Sequence, residues 1–250
     1  MGGVPKNSLW GEFMRIRFKP WAREELETSQ FYIDNPQDYK NKWKSVFEKQ
    51  APIHIELGCG KGNFIAKLSK LNAEKNINYI AIDLVDAMLG IAKRNIELEY
   101  GIRTTIQKEE IENEIEKQKI IKNVKLTRYD ISMITNIFGK KDNIERIYIN
   151  FCNPWPRGKH HKKRLTHERQ LEQYKTFLKN GGEIFFKTDD DNLFSDSIGY
   201  FEKSGFKIIK KTYDLSNKSN FWNGEENIET EHEKMFKKEG IKIKALIASI

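Results

Sequence analysis

The sequence predicts an α/β fold, a mostly parallel twisted sheet with helices on both faces. Three observations lead there. From Pro52 onward, short apolar runs alternate with amphipathic helical runs, the pattern of parallel strands joined by crossover helices. A glycine-rich turn, "ELGCGKGN" (Glu56–Asn63), links the first of these runs to the first helix. An acidic side chain lies in or just after each of the first three strands: Glu56, Asp83 and Asp130.

The elements follow in chain order. Residues 1–13, "MGGVPKNSLWGEF", show no clear periodicity and are set aside as a leader or an expression remnant. Residues 14–50 read as a basic N-terminal arm and a short helix. In the arm Arg15, Arg17 and Lys19 interleave with apolar residues up to Trp21. In the helix, Asn35–Phe47, the residues Tyr39, Trp43 and Phe47 share one face. The main α/β domain spans 51–250. Ile53–Leu57 is a strand broken by Gly58, and Asn63–Leu71 is helical. Tyr79–Ile82 is the second strand and Asp86–Glu99 the second helix. Val124–Tyr129 is the third strand, with a helical turn near Ile131–Phe138, and Ile144–Phe151 is the fourth. An amphipathic helix covers His167–Lys179 and stops at Asn180–Gly182. Glu183–Lys187 is the fifth strand, Leu193–Ser204 a helix, and Phe206–Tyr213 and Ile241–Ala248 the last two strands. A charge-dense stretch at about 101–123, with Ile111, Ile115 and Ile121 on one thin apolar face, reads as a helical insertion.

Composition narrows the function classes. The chain has 250 residues, of which 38% are hydrophobic and 12% aromatic, enough for a sizeable core. No apolar run is long enough for a membrane-spanning helix, and no signal-peptide pattern is seen at the N-terminus. Cys59 and Cys152 form no C-x-x-C or His/Cys cluster, so neither a disulfide framework nor a metal site is expected. These features predict a cytoplasmic protein with no membrane partner, acting as a monomer or homodimer. A net charge of +8 suggests a polyanionic partner.

The glycine turn narrows the ligand. Gly58, Gly60 and Gly62 follow G-x-G-x-G, whereas a dinucleotide turn needs its third glycine at Asn63. Glu56 would oppose a pyrophosphate and suits a cationic ligand. Asp83 is placed to accept from ribose hydroxyls, and Asp130 lies near where an adenine ring would sit. S-adenosyl-L-methionine fits that inventory, being cationic, ribose-bearing and free of phosphate. Past the fourth strand, Asn153-Pro154-Trp155-Pro156 makes a corner stiffened by two prolines, which a basic ribbon follows. The ribbon contains Arg157, Lys159, His160, His161, Lys162, Lys163 and Arg164, side chains suited to phosphates. Trp155 either stacks on a target base or wedges the corner. Asp189 ends the fifth strand in a run of three aspartates, one of which could cap the next helix. His54 reads as a packing histidine.

Together, "MRIRFKPWA", "IHIELGCGKGNFI", "YIAID", "IYINFCNPWPRGKHHKKRLTH", "GGEIFFKTD" and "TEHEKMF" resemble, in this order, the bacterial tRNA (guanine-N7-)-methyltransferase family. The resemblance covers Met14 to the C-terminus, apart from the 101–123 stretch. It implies a Rossmann-like class I methyltransferase fold, S-adenosylmethionine as cofactor, and tRNA as partner. The implied reaction is methylation of N7 of a variable-loop guanosine, guanine 46. By that resemblance Glu56, Asp83, Asp130 and Asn153 hold the methyl donor. Substrate contacts fall on Arg157, Asp189 and the segment Thr230, Glu231, His232, Glu233, and RNA contacts on Lys159 to Arg164. The chain departs from the pattern in two places: Asn153 stands where an aspartate is usual, and His232 where another aromatic is usual. Because guanine N7 carries an available lone pair, methylation there needs no proton removed, and Asn153 is compatible with it.

Two other readings remain open. The Asn-Pro-Trp-Pro corner resembles the Asn-Pro-Pro-aromatic turn of methyltransferases acting on exocyclic amines of nucleobases or of glutamine. A non-catalytic RNA-binding protein could also use this scaffold.

Overall fold

In the computed structural model the structure describes residues 17–102, 121–216, 218, 220–222 and 225–250. The proposed leader, Met14, Arg15 and most of the 101–123 insertion lie outside the described residues. An eight-stranded sheet forms the centre, in the order β1-β4-β3-β2-β5-β6-β8-β7. Its strands are β1 (Tyr32–Ile33), β2 (Ile53–Leu57), β3 (Asn78–Asp83), β4 (Val124–Arg128), β5 (Ile144–Asn150), β6 (Leu178–Thr188), β7 (Lys207–Thr212) and β8 (Lys244–Ser249). All neighbours are parallel except β8, which runs antiparallel between β6 and β7. The strand order reverses between β2 and β5, opening a crevice at their carboxyl ends, where open α/β sheets bind ligands.

The two sheet faces follow from the period of two along each strand. Tyr79, Ala81, Tyr148, Phe185 and Ile247 face one core, and Ile53, Ile55, Ile80, Ile149 and Phe186 face the other. The first core is covered by α2 (Asn63–Leu71), α3 (Asp86–Glu99) and α6 (Glu231–Lys238). The second is covered by α4 (Glu168–Lys175) and α5 (Asp191–Lys203). Helices thus flank both faces, as the alternation predicts.

Besides β1, a strand absent from the sequence reading, three elements differ from it. Asn35–Phe47 is not one helix but two 3₁₀ turns, Pro36–Tyr39 and Trp43–Val46. The cause is Asp142, whose carboxylate accepts from the backbone N–H groups of Asn41 (2.8 Å), Trp43 (3.0 Å) and Gly139 (2.8 Å). These donors are thereby drawn away from a helical ladder, while Trp43 and Phe47 still bury their common face. The fourth long helix ends at Lys175, short of Lys179, and β6 begins at Leu178. There the chain has already joined β5, with Ile144 N–H donating to Phe177 C=O at 2.9 Å.

The third difference is α1 (Pro20–Glu27), a helix within the stretch read as an arm. Pro20 starts it, as proline suits a first helical position. Trp21 lies under the Arg94 guanidinium, 3.4 Å from ring centroid to cation, and Glu25 pairs with Arg94. Close approach of α1 to α3 depends on Gly90, where an added Cβ would come within 2.7 Å of Ala22 Cβ and 3.0 Å of Trp21. Trp21 is therefore docked on the domain, ahead of any RNA.

Gly90→Leu is expected to wedge α1 from α3 and to cost about 1–3 kcal/mol in urea unfolding. Gly199→Ala is the control. It lies in α5 facing open space and is expected to be neutral or stabilising by up to about 1 kcal/mol.

Candidate active site

The site begins at the turn between β2 and α2. Gly58, Gly60 and Gly62 all have left-handed φ, at 73°, 53° and 71°, a region costly for other residues. A Cβ at Gly60 would touch nothing within 4 Å, so the turn faces an opening there, whereas Gly62 is needed for packing against Ala92. Asp83, at the end of β3, accepts from Gly60 N–H at 2.9 Å and from Val85 N–H at 3.0 Å, tying the turn to the neighbouring strand. Burial raises its carboxyl above the ordinary value, and these backbone donors oppose the rise.

Glu56 is the most constrained group. It is 2% exposed, and Asn150 Nδ2 donates to its Oε1 at 3.1 Å. Its Oε2 is buried and makes no well-formed hydrogen bond, although the backbone N–H of Ile65 faces the carboxyl. Burial pushes its pKa up to about 8, against the Asn150 bond and the Lys187 ammonium. A buried carboxylate oxygen without a well-formed hydrogen bond is costly and fits a cationic ligand group. Asp130 follows β4 and is exposed, with one oxygen accepting from Ser132 N–H at 2.8 Å. Since β4, β3 and β2 are adjacent, the structure places Glu56, Asp83 and Asp130 at the carboxyl ends of three neighbouring strands.

The corner after β5 is backbone-strained at two side-chain-bearing residues, Phe151 (φ 51°) and Trp155 (φ 43°). Asn153 stabilises it, with its Oδ1 accepting from Trp155 N–H at 2.9 Å. The oxygen expected to meet the ligand is thus already engaged in the turn. Trp155 packs edge-on against His160 (5.7 Å) and under the Lys163 ammonium (4.9 Å), which makes it the wedge between corner and ribbon. Lys159, Lys162 and Lys163 are exposed, as is Arg157, with His160 and His161 half-buried.

Arg164 needs correction as a ribbon contact. Only 2% exposed, it donates to Pro154 C=O at 2.7 Å, pairs with Asp196 at 2.6 Å and meets His161 Nε2 at 3.0 Å. It clamps the corner from inside, and no face is left for a phosphate. A cleft of about 220 Å³ opens beside it, lined by Pro156, His161, Asp190, Asn192 and Ser195 among others.

The three aspartates after β6 divide their work. Asp190 caps α5 by accepting from Leu193 N–H at 2.6 Å, and Asp191 pairs with Lys244 at 2.9 Å. Asp189 remains at the strand end, half-buried, its carbonyl accepting from Lys244 at 2.8 Å. In the C-terminal segment, Thr230 caps α6 by accepting from Glu233 N–H at 3.0 Å, and Glu231 pairs with Lys61 at 3.1 Å. Glu233 needs correction as a substrate contact. It is 0% exposed and bonded to Lys187 (3.0 Å) and Asn227 (2.7 Å). His232 stacks on Phe151 at 5.9 Å, so α6 closes over the corner.

Sequence reasoning missed Asn150 and Lys187. A signal was available, because polar Glu56, Asn150 and Lys187 sit two residues after apolar or aromatic positions on one face of three adjacent strands. His54 is a packing group as read, buried against Tyr79 and Tyr148.

The reversed strand order, the left-handed glycine turn and the buried acidic side chain at the end of β2 are those of a class I methyltransferase. The match of residues 50–246 to the family model described as "Putative methyltransferase" agrees. Among solved structures, the 16S rRNA methyltransferase KamB superposes with a TM-score of 0.55 at 11% identity, over 84% of this chain and 92% of that one. The aminoglycoside resistance methyltransferase NpmB1 gives 0.50 at 13% identity, over 83% and 91%. At such identities the likeness concerns the fold alone. A protein of Clostridium beijerinckii named tRNA (guanine-N(7)-)-methyltransferase is 54% identical over 94% of this chain and 98% of its own length. Same-named proteins of Acetivibrio thermocellus and Clostridium acetobutylicum are 48% and 46% identical over 94% and 95% of this chain. The chain belongs to the tRNA (guanine-N(7)-)-methyltransferase family.

The Glu56 carboxyl, protonated in the fold and ionised when unfolded, gives the native state an extra proton between about pH 4.5 and 8. Stability therefore falls as pH rises through that window. His54, whose pKa burial lowers to about 3, acts oppositely and only below its ordinary 6.5. Between pH 6.5 and 8, wild type should lose on the order of 2 kcal/mol relative to Glu56→Gln, read as diverging urea midpoints.

Proposed function

We propose that this chain transfers a methyl group from S-adenosylmethionine to N7 of a guanosine in tRNA, guanine 46 of the variable loop, in the cytoplasm. The observation that carries it is one sheet end where a cation-accepting acidic wall meets an exposed lysine ribbon. That juxtaposition suits a cationic donor and a polyanionic acceptor side by side. It agrees with the names its relatives bear.

The donor, when bound, supplies an electrophilic methyl on a sulfonium. Glu56 would meet its positive charge, Asp83 and Gly60 would hold its ribose, and Asp130 would hold its adenine. Guanine N7 brings its own lone pair, so the N–C bond forms as the S–C bond breaks and no proton leaves N7. The chain's task is alignment of two reacting atoms. Asp189 accepts from the Watson–Crick N–H groups that guanine has and adenine lacks, and Glu231 lies at the mouth beside Lys61. Arg157, Lys159, Lys162 and Lys163 hold phosphates, with His160 and His161 between them. No residue is asked to be a general base, and Asn153 serves the reaction by holding the corner.

Incubation with S-adenosylmethionine and unmodified tRNA, followed by nucleoside mass spectrometry, should yield 7-methylguanosine. N6-methyladenosine or N4-methylcytidine would overturn the reading in favour of exocyclic amines. No product with intact donor binding would leave an RNA-binding role.

Asn153→Ala should retain turnover within about tenfold, since loss of a general base costs about 10²–10⁴; a larger fall at unchanged stability would give Asn153 a chemical role.

Neutralising Lys159, Lys162 or Lys163 should each lower the salt slope of tRNA binding by about 0.7–0.9. Arg164→Ala should instead appear as a lower melting temperature.

A further inference from the structure

Lys187 belongs to no step of the reaction above, yet it joins three parts of the site: the strand end beside Glu56, the corner and α6. It is 2% exposed and pairs in register with Asn150, the residue that holds Glu56. Its ammonium donates to Glu233 Oε2 at 3.0 Å, Ile228 C=O at 3.0 Å and Asn227 Oδ1 at 3.3 Å. Three acceptors match the three donors of an ammonium. Phe64 and Trp222 place their rings 5.3 and 5.8 Å from it, closing a low-dielectric chamber in which charges act strongly. Its carbonyl accepts from Phe151 N–H at 2.9 Å, the first residue of the strained corner.

One residue thus touches the donor wall through Asn150, the corner through its backbone, and α6 through Glu233. We propose that Lys187 is a positioning residue that couples the methyl-donor site to α6, so that donor binding and tRNA binding are energetically linked. This rests on the methyltransferase reading and adds the element that joins its two ligands. Burial pushes the Lys187 ammonium below its ordinary value, while Glu233 and Glu56 both favour the charged form. A cation arriving at Glu56 favours ionisation of that carboxyl, and the ammonium then feels two carboxylates, Glu233 in direct contact and Glu56 through space. Its hold on Glu233, and so on the helix whose His232 stacks against the corner, changes with donor occupancy.

Several groups from the elements around Glu56 set its charge. Asp83 from β3 raises its pKa, while Asn150 from β5, Lys187 from β6 and the backbone N–H of Ile65 in α2 lower it. The neutral Cys59 thiol lies alongside. Lys187 is a cation that lowers the Glu56 pKa, so removing it should make donor binding demand a higher pH.

Lys187→Met and Glu233→Gln in the full chain test this. Titration calorimetry with S-adenosylmethionine from about pH 6.5 to 9 reads the donor arm, and steady-state kinetics with unmodified tRNA read the other. In wild type donor affinity rises with pH as Glu56 ionises. Lys187→Met should move that rise upward by about half a pH unit or more and raise KM for tRNA. Glu233→Gln keeps shape and an acceptor, and should raise KM for tRNA by about fivefold or more, with kcat and neutral-pH donor affinity little changed. A merely structural lysine would lower the melting temperature and leave the pH midpoint where it was, which overturns the coupling. If Lys187→Met does not fold, an unchanged KM in Glu233→Gln overturns it equally. Should wild type make no 7-methylguanosine, the functional reading fails by itself, and the calorimetric arm still decides the link between Lys187 and Glu56.

Discussion

A carboxyl group buried at the end of a central strand, with one oxygen making no well-formed hydrogen bond, is the constraint around which the rest of the site is arranged. Among the described residues Asn150 is the side-chain donor to Glu56, and its other oxygen makes no well-formed hydrogen bond. Such a group is held at a free-energy cost. The glycine turn leaves the approach open at Gly60, and Asp83 secures that turn from β3. The strand-order reversal between β2 and β5 supplies the crevice itself.

The corner is held by a second constraint of opposite character. Phe151 and Trp155 sit in left-handed backbone, and what over-determines them is hydrogen bonding from within: Asn153 to Trp155 N–H, Phe151 N–H to Lys187 C=O, and Arg164 to Pro154 C=O. Arg164 lies in the same basic stretch as its lysine neighbours but performs a different task. A guanidinium has five donors in a planar fork and tolerates burial when they are met. Lysines 159, 162 and 163 stay exposed, so positive charge is displayed outward on a frame locked inward.

Much of this was legible in the chain. Strand and helix positions follow from hydrophobic period, and Glu56, Asp83, Asp130 and Asp189 could be named because acidic residues at strand ends stand out against apolar runs. Less legible were elements whose backbone donors are taken by distant acceptors. Asp142 turns Asn35–Phe47 into two short turns from about a hundred residues away. Docking of α1 rests on the absence of a side chain at Gly90, which no local pattern announces. Arg164 and Glu233 misled for a related reason, since a charged residue in a polar stretch looks exposed until its buried partner is known.

By itself the sequence determined the fold class, the acidic set that suits a cationic donor, the basic stretch that suits RNA, and the family. These are properties of residue type and spacing along the chain, and they survive without coordinates. Only tertiary structure decided which charged groups stay exposed and which are buried against one another. That division separates Lys163 from Arg164 and Glu231 from Glu233, each pair close in sequence and opposite in surroundings. The reason is physical: burial and pairing depend on which strands and helices meet, and a charge acquires its role from the dielectric and the partner it meets there.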